Sequence, residues 1–320
     1  MKNRNYEPKP LFLERMSALL GKDFESYNEI LKQPLQNSIR CNTLKIQPDE
    51  LKKRLEVKGW TILQPFKDHP EIMIIKNELA PGELGRSMEH LLGYYYVQEI
   101  ASMLPVLALK PKPGELVLDI AAAPGSKTTQ IAAAMKNQGT IIANDVNLKR
   151  LKILASNMER CGVTNNIITR KDGIFFCKKL KDAGFLFDKI LVDAPCSGEG
   201  TLRSSPVTYL MWNPQTIRIL SRLQKGLLAS AIEILKPGGE AVYSTCTHAP
   251  EENEEVVDFV LKKFGKDVSI EKINLPVKCR PGITNWSDNN YNKNVEKSCR
   301  IYPQDNNTEG FFIAKFKKIK

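Results

Sequence analysis

The 320-residue sequence lacks the features that mark exported and membrane-bound proteins. It contains no run of about 18 apolar residues, the length that a helix needs to cross a bilayer. Its first residues, MKNRNYEPKPLFLERM, also lack the apolar core of a signal peptide. We therefore expect an intracellular, cytoplasmic protein without a membrane-spanning segment.

The cysteine content argues against two further classes of protein. Seven cysteines are present, and no two of them form a Cys-x-x-Cys pair. An odd number of cysteines without close pairs is not typical of a disulfide framework or of a zinc site. We expect no metal, and we expect ordinary buried or surface thiols at Cys41, Cys161, Cys177, Cys279 and Cys299.

Familiar catalytic and phosphate-binding motifs are also missing. The sequence has no Gly-x-Gly-x-x-Gly fingerprint of a dinucleotide-binding fold. Gly125-Ser126-Lys127-Thr128 resembles the end of a nucleoside triphosphate loop, but no glycine lies five residues before Gly125. Among only three histidines, His248 follows Cys246 by two residues. A cysteine hydrolase needs its base adjacent in space, so this closeness in sequence carries little weight.

Positive charge is what the sequence has in excess. The net charge is +11 and the isoelectric point is near 9.2, with almost all of the excess in residues 101–320. This charge favours a polyanionic partner, most simply nucleic acid. The alternative is that the positive charge serves only to keep the protein soluble. Part of the excess is clustered at Lys149, Arg150, Lys152, Arg160, Arg170, Lys171, Lys178, Lys179 and Lys181.

The first hundred residues predict a small α+β module. Apolar residues at helical spacing predict helices over 10–20 and 23–33, and Pro48 opens a further helix that ends near Lys58. Alternating patterns predict strands over 38–46, 61–66 and 71–76. A proline-rich stretch from Pro105 to Gly114 then leads into a region of different character.

Strands and helices alternate strictly in this second region. Near-continuous apolar strands that alternate with helices predict a doubly wound, parallel α/β sheet. The predicted strands are 115–121, 140–146, 166–172, 187–194, 240–246, 268–275 and 310–317. The predicted helices are 127–136, 148–161, 174–182, 214–235 and 250–264. Pro250 and the following carboxylates fit the start of that last helix without any catalytic role.

Residues that follow the first two predicted strands of this region indicate a ligand site. The first strand leads into a turn of small residues, Ala121-Ala122-Ala123-Pro124-Gly125-Ser126-Lys127, where a ligand can approach backbone amides closely. Asp145 ends the second strand, twenty residues after Gly125, at the position expected for a carboxylate that binds a ribose diol.

Acidic residues end all of the first four strands of this region. Each one alone is also typical of a helix N-cap or a turn. Four at corresponding positions instead predict a pocket for an adenosine and a methionine-like ammonium, which means S-adenosyl-L-methionine. These residues are Asp119, Asp145, Asp172 and Asp193.

Two cysteines fifty residues apart follow predicted strands in the same way. Cys196 lies in Asp193-Ala194-Pro195-Cys196-Ser197-Gly198, and Cys246 lies in Tyr243-Ser244-Thr245-Cys246-Thr247-His248. Functional groups of an open α/β sheet gather at the carboxyl ends of its strands. The pattern therefore directs both thiols to one crevice, although either one alone could be a buried structural cysteine.

Together these segments resemble the Nol/Nop/Sun family of RNA cytosine-5 methyltransferases. The resemblance covers roughly residues 95–317, and its most specific feature is DAPCSG followed fifty residues later by STCT. It implies a Rossmann-like methyltransferase sheet with an antiparallel last strand over 96–320, and a small domain over 1–95. The matching segments are Tyr96-Val97-Gln98-Glu99, AAAPGSKT (121–128), Asp145, Lys171-Asp172-Gly173, DAPCSGEG (193–200), STCTHAPEENE (244–254) and GFFIAKF (310–316).

The resemblance also implies individual roles. Cys246 would be the nucleophile that adds to carbon 6 of cytosine, Cys196 would assist release, and Asp193 would hydrogen-bond the base. Lys127 would contact the cofactor or the reacting groups, with a solvated lysine as the alternative. The residues alone do not decide which of the two thiols is the nucleophile. In related DNA enzymes the nucleophile follows a proline, as Cys196 does. The implied cofactor site comprises Ala121 through Lys127, Asp145, Arg150, Asp172 and Asp193.

The substrate implied by the resemblance is RNA. A chain without appended domains is most similar to the transfer-RNA members, and ribosomal RNA stays open. Residues 38–44 resemble the family's N-terminal motif, so we expect the small domain to take part in RNA recognition by a monomer. The alternative is a non-catalytic RNA-binding assembly factor, against which the retention of both cysteines counts.

Overall fold

The structure is a computed structural model that describes residues 6–320. Its helices, in chain order, are α1 (Pro10–Leu20), α2 (Phe24–Leu31), α3 (Pro48–Val57), α4 (Glu83–Arg86), α5 (Met88–Leu91), α6 (Ile100–Leu109), α7 (Ser126–Ala134), α8 (Leu148–Arg160), α9 (Gly173–Asp182), α10 (Thr208–Met211), α11 (Pro214–Glu233), α12 (Glu254–Phe264) and α13 (Pro303–Asn306). Short 3-10 helices cover Gly21–Asp23, Glu199–Thr201, Gly265–Asp267 and Lys293–Lys297.

The strands form a small sheet, a large sheet and a short hairpin. In chain order they are β1 (Asn37–Cys41), β2 (Ile62–Leu63), β3 (Ile72–Ile75), β4 (Tyr95–Val97), β5 (Leu116–Asp119), β6 (Thr140–Asn144), β7 (Asn166–Thr169), β8 (Phe187–Asp193), β9 (Leu235–Thr245), β10 (Val268–Glu271), β11 (Arg280–Pro281), β12 (Asn285–Trp286), β13 (Asn289–Asn290), β14 (Cys299–Ile301) and β15 (Phe311–Lys318).

The small N-terminal sheet is antiparallel, with the order β2-β3-β1-β4. Helix α3 packs its buried Leu51 and Leu55 into the same apolar cluster as Ile39 and Met73 of the sheet. An α+β module was predicted here, and it is present. The sequence pattern missed β4, because three residues are too few to show an alternation of apolar and polar side chains.

The large sheet follows the predicted doubly wound plan. Strands β9-β8-β5-β6-β7 are parallel neighbours in that order, and β15 joins β9 in the antiparallel direction. Both the mostly parallel sheet and the antiparallel last strand are therefore confirmed. Chain order reverses between β5 and β8, and ligands of such sheets bind in the crevice at this point.

Helix α6 overlaps the proline-rich stretch and was not predicted from the sequence. It spans Ile100–Leu109 and contains Pro105 in its interior, and Glu99 caps it by accepting hydrogen bonds from the amides of Ala101 and Ser102. Most of its side chains are buried, so the helix is apolar all round and lacks the amphipathic period that marks a helix in sequence.

The expectation of free thiols at Cys279 and Cys299 is wrong. These two cysteines form a disulfide with a Cα–Cα distance of 5.2 Å. Strand β11 pairs with β14, which places Pro281 opposite Cys299 and so brings Cys279 beside it. Spacing in sequence could not show this, since the pair is made by antiparallel pairing across 20 residues. Among residues 6–320, no helix combines the length and apolar character that crossing a bilayer requires.

Candidate active site

The two predicted site cysteines lie side by side. Strands β8 and β9 are parallel neighbours with Asp193 opposite Ser244, so the loops that follow them start at the same edge of the sheet. The Sγ atoms of Cys196 and Cys246 are 3.3 Å apart, in hydrogen-bonding contact, and both residues are half-buried. One sulfur can therefore influence the charge of the other.

The two thiols differ in their surroundings. A hydrogen bond with Cys246, burial, and the negative charges of Cys246 and Glu252 together raise the pKa of Cys196 well above the usual thiol range. Burial and Glu252 act on Cys196 independently of its partner cysteine. These two causes favour the protonated form of Cys196.

A polar network adjoins the cysteines. The Lys127 ammonium donates to Asp193 Oδ2 at 2.7 Å and to Ser102 Oγ at 3.1 Å, and Ser244 Oγ donates to Asp193 Oδ1 at 2.8 Å. Lys127 is buried, and its Nζ also lies 5.3 Å from the ring centre of Phe311. The alternative of a solvated lysine is wrong, because this ammonium is buried and is held by two polar partners and one aromatic face.

Two adjoining cavities open beside this network. One of about 240 Å³ lies against the 121–127 turn, Lys127 and Asp119, and the other, of about 300 Å³, extends from Asp145 and Asp172 to both cysteines. They share Ala121, Ala123, Arg150 and Asp193. A larger cavity of about 700 Å³ lies between the small sheet and helices α6 and α7, and it contains none of the predicted site residues.

The 121–127 turn closes against helix α8. Gly125 has φ +106°, a backbone conformation that favours glycine, and a Cβ there would lie 2.9 Å from Leu154 Cδ1. The Asn157 amide donates to Pro124 O at 2.9 Å, and the Arg150 guanidinium donates to Ala123 O. These contacts hold the turn in place beside the two cavities.

Two carboxylate oxygens beside these cavities are buried and have no hydrogen bond, Asp119 Oδ1 and Asp145 Oδ2. Thr128 Oγ1 donates to the other oxygen of Asp119 at 2.7 Å, and burial raises the pKa of Asp119 to about 7. Asp145 accepts from the Asn147 amide, and Arg150 Nη1 lies 3.3 Å from its Oδ2. Orphaned acceptors at the ends of β5 and β6 fit a ligand with an ammonium group and a ribose diol.

Asp172 differs from the other acids at the strand ends. It is exposed and caps helix α9, where its carboxylate accepts from the Phe175 amide at 2.9 Å. It still lines the larger of the two site cavities, so it combines the capping role with a place beside the ligand site. Among residues 6–320, no group of three or more His, Cys, Asp or Glu is placed to hold a metal ion.

The prediction that the acids after Pro250 only open a helix is wrong. Helix α12 begins only at Glu254, and the acids before it point to other elements. Glu251 pairs with Arg15, Glu254 pairs with the buried Arg300, and Glu252 accepts a hydrogen bond from the Ser197 amide. The helix-start pattern could not distinguish these partners, because they come from distant parts of the chain.

His248 does not act on the cysteines. Its ring stacks on Tyr302 with centroids 5.1 Å apart and meets Tyr27 edge-on. Burial and the charge of Arg300 lower its pKa to about 3, so the ring is neutral. It therefore serves as a packed aromatic side chain, in agreement with the small weight given to a cysteine hydrolase.

Two glycines that sequence analysis did not single out fix the Cys246 loop. The Gly200 amide donates to Cys246 O at 2.9 Å, and the Gly310 amide donates to Gly200 O at 2.8 Å. A Cβ on Gly200 would lie 2.3 Å from Gly310 O. Both glycines lie in segments that resemble the family, DAPCSGEG (193–200) and GFFIAKF (310–316). Their place in these segments is the one sequence signal that could have pointed to them.

Comparison with known proteins agrees with this geometry. The family model described as 16S rRNA methyltransferase RsmB/F matches residues 106–317, and the model for the N-terminal domain of 16S rRNA methyltransferase RsmF matches residues 9–100. The chain belongs to the RsmB/F methyltransferase family. This confirms the resemblance to the Nol/Nop/Sun family, whose members are S-adenosylmethionine-dependent RNA cytosine-5 methyltransferases.

RsmB/F-family relatives fall into two groups by substrate and length. The tRNA (cytosine(49)-C(5))-methyltransferase of Pyrococcus abyssi is 44% identical and aligns over 96% of this chain and 95% of its own. The ribosomal RNA small subunit methyltransferase F of Aliivibrio salmonicida is 43% identical over 90% of this chain, but the match spans only 59% of that protein. The chain thus spans about three fifths of the ribosomal-RNA relative.

A solved structure supports the fold of this RsmB/F-family chain over its whole length. NSun6 from Pyrococcus horikoshii, crystallised with the S-adenosylmethionine analogue SFG, has a TM-score of 0.83 and 27% identity. The match covers 98% of each chain. The fold of nearly the whole chain is therefore shared with that structure.

Proposed function

We propose that the protein transfers a methyl group from S-adenosyl-L-methionine to carbon 5 of a cytosine in tRNA through a covalent cysteine–cytosine intermediate. The observation that carries the proposal is the contact of Cys196 and Cys246, 3.3 Å apart, beside a cavity that also reaches Asp145. Cys246, Cys196, Asp193 and Lys127 are the proposed catalytic residues.

Carbon 5 of cytosine is a poor nucleophile, and covalent addition solves this difficulty. In the proposed reaction the Cys246 thiolate adds to carbon 6, the displaced electron pair moves toward the ring nitrogen, and that nitrogen takes up a proton. In this proposal Asp193 and Lys127, which are hydrogen-bonded to each other, bind the base and favour this protonation. Carbon 5 then has enamine character and accepts the methyl group.

Release requires the proton on carbon 5 to leave and the sulfur–carbon bond to break. Once the negative charge has left the Cys246 sulfur, Cys196 can lose its proton to solvent and then accept the carbon-5 proton. The electrons of that bond form the carbon 5–carbon 6 double bond and the Cys246 thiolate departs. The ring nitrogen then returns its proton to solvent, which leaves neutral 5-methylcytosine. The raised pKa of Cys196 supports this order, because it keeps Cys246 as the attacking member of the pair.

The donor supplies an electrophilic methyl group, and this chain supplies a site that fits it. We propose that Asp119 and Asp145, with their orphaned oxygens, face its ammonium and ribose groups. The backbone of Ala121-Ala122-Ala123-Pro124-Gly125-Ser126-Lys127 lines the rest of the smaller cavity, and Arg150, Asp172 and Asp193 complete the proposed cofactor site.

The proposal of tRNA rests on the relative that is named for tRNA, which is 44% identical over 96% of this chain and 95% of its own length. The exposed basic residues beside the site supply backbone affinity without choosing a sequence, so they serve either substrate. They include Lys149, Arg150, Lys152, Arg170 and Lys171. Arg160 is excluded, because it is half-buried and donates to His90 O of the N-terminal domain.

The test is incubation with a labelled methyl donor and either tRNA or ribosomal RNA transcripts, followed by mapping of 5-methylcytosine by bisulfite sequencing. We expect methylation of tRNA at one position, and no methylation by the Cys246→Ala protein. Full turnover by Cys246→Ala would refute the covalent route. Selective labelling of ribosomal RNA would replace the tRNA assignment, and binding of RNA without any methyl transfer would favour an assembly factor.

A further inference from the structure

Glu252 and Gln224 form a buried pair beneath the Cys196 loop. Neither side chain has measurable exposure, and Gln224 Nε2 donates to Glu252 Oε2 at 2.8 Å. The same Gln224 nitrogen donates to Pro195 O at 2.8 Å, and the Ser197 amide donates to Glu252 Oε2 at 3.0 Å. The peptide groups on both sides of Cys196 are thus bound by one glutamine–glutamate pair.

We propose that Glu252 and Gln224 are positioning residues that hold Cys196 against Cys246 by binding the backbone on both sides of it. This rests on the proposed function, in which Cys196 carries out release and Cys246 carries out attack. Neither residue touches the cavity that holds the reacting groups. They act through the loop.

The pair is itself anchored to the neighbouring elements. Tyr243, on β9 and three residues before Cys246, donates its hydroxyl to Glu252 O at 2.5 Å. Ser197 Oγ and Thr247 Oγ1 are 2.7 Å apart, which ties the Cys196 loop directly to the Cys246 loop. The distance between the two sulfurs is therefore set by side chains from β9, from α11 and from the segment before α12.

Glu252 also places a titratable charge near Cys196. Burial raises the pKa of Glu252 to about 7, although the Ser197 amide and Gln224 both favour its ionised form. The other ionisable groups that face it are Glu199, Tyr243 and Arg15, and they are unchanged in the variants proposed below. Glu252 therefore gains its negative charge as pH rises through about 7, and that charge opposes ionisation of Cys196.

Substitution of Glu252 by glutamine tests the effect of its charge separately from the effect of its hydrogen bonds. Glu252→Gln keeps an oxygen acceptor for the Ser197 amide and removes the charge. In a Cys246→Ser background, without RNA or donor, the alkylation of Cys196 by iodoacetamide is followed by peptide mass spectrometry across pH 6 to 9. The matched control is Glu255→Gln, whose side chain pairs with Lys225 on the protein surface.

We expect Glu252→Gln and its parent to react equally near pH 6, where Glu252 is neutral in the parent. Above pH 7 we expect the variant to react about tenfold faster, equivalent to one unit in the pKa of Cys196. The Glu255→Gln control should follow the parent throughout. A ratio that does not change with pH, or the same change in the control, would overturn the proposal, since a merely structural role gives no such pH dependence.

A second arm uses the complete enzyme with tRNA transcript and donor. Gln224→Met, which loses the hydrogen bonds to Pro195 O and to Glu252, should lower turnover about tenfold and accumulate a covalent protein–RNA band on denaturing gels. Thermal melting and donor binding confirm that the variant is folded, and unaltered turnover would overturn the proposal. If even Cys196→Ala gives no covalent band, the covalent route fails, while the alkylation experiment still decides the role of Glu252.

Discussion

Substitution of Gly200 by alanine tests how tightly the catalytic loops are packed. The added Cβ would lie 2.3 Å from Gly310 O and 2.9 Å from Cys246 O, whereas ordinary contact begins at 3.4 Å. All of these atoms belong to the backbone, so no flexible side chain can give way. The loop that carries Gly200 must therefore shift by roughly 1 Å relative to Gly310, and by about half of that relative to Cys246 O. A misplacement of about 1 Å can cost about 100-fold in rate.

The expected loss of stability follows from the same geometry. Overpacking costs about 1–3 kcal/mol, and the weakened hydrogen bonds at Gly200 and Gly310 cost about 1 kcal/mol between them if each is half lost. Unfolding entropy is about 2.1 cal/mol/K per residue, or about 0.7 kcal/mol/K for 320 residues. The free energy of unfolding should therefore fall by about 2–4 kcal/mol, and Tm by about 3–6 °C.

The assay is a thermal melt together with kcat and KM for donor and tRNA. We expect kcat to fall about 100-fold with little change in KM for the donor, since the cofactor turn lies on the other side of the site. Gly85→Ala is the matched control, because no atom lies within 4 Å of its would-be Cβ. If Gly200→Ala melts within 1 °C of the wild type and keeps its kcat, the argument from close packing is wrong.

The other predictions concern the thiols and the two orphaned carboxylates. Cys196→Ala should accumulate a covalent protein–RNA band on a denaturing gel and Cys246→Ala should form none; the opposite pattern would exchange their roles. Asp145→Asn should weaken donor binding at least tenfold in calorimetry, as expected for loss of a charged hydrogen-bond acceptor, and unchanged affinity would remove Asp145 from the cofactor site. Burial raises the pKa of Asp119 to about 7, above about 3.9 when unfolded, so stability is lost as pH rises toward 7. Without donor, Asp119→Asn should gain Tm relative to wild type between pH 5 and 8, and parallel curves would contradict this.

Much of the large sheet was predictable because its strands are buried on both faces. Continuous apolar runs such as those of β5 and β8 stand out in sequence, and helices between parallel strands leave a periodic pattern. Helix α6 escaped for the opposite reason, since it is apolar all round and contains Pro105. β4 escaped because it is only three residues long.

The candidate site was predictable where its residues follow strands. Asp145, Asp193, Cys196 and Cys246 all lie at a strand end or within three residues of one, so the topology alone brings them to one crevice. Which acid keeps a free oxygen and which caps a helix was not predictable. Asp119 and Asp172 occupy corresponding positions in sequence, yet one is buried with an orphaned oxygen and the other is exposed at the start of α9.

The sequence by itself determined the sheet plan, and it predicted the chemistry of the paired cysteines and a polyanionic partner. These depend on local patterns and on composition. Only the tertiary structure decided the 3.3 Å contact of the two sulfurs, the Cys279–Cys299 disulfide and the partners of Glu251, Glu252 and Glu254. Each of these is a contact between residues far apart in the chain, and its geometry is set by strand register and side-chain packing, which a local pattern does not record.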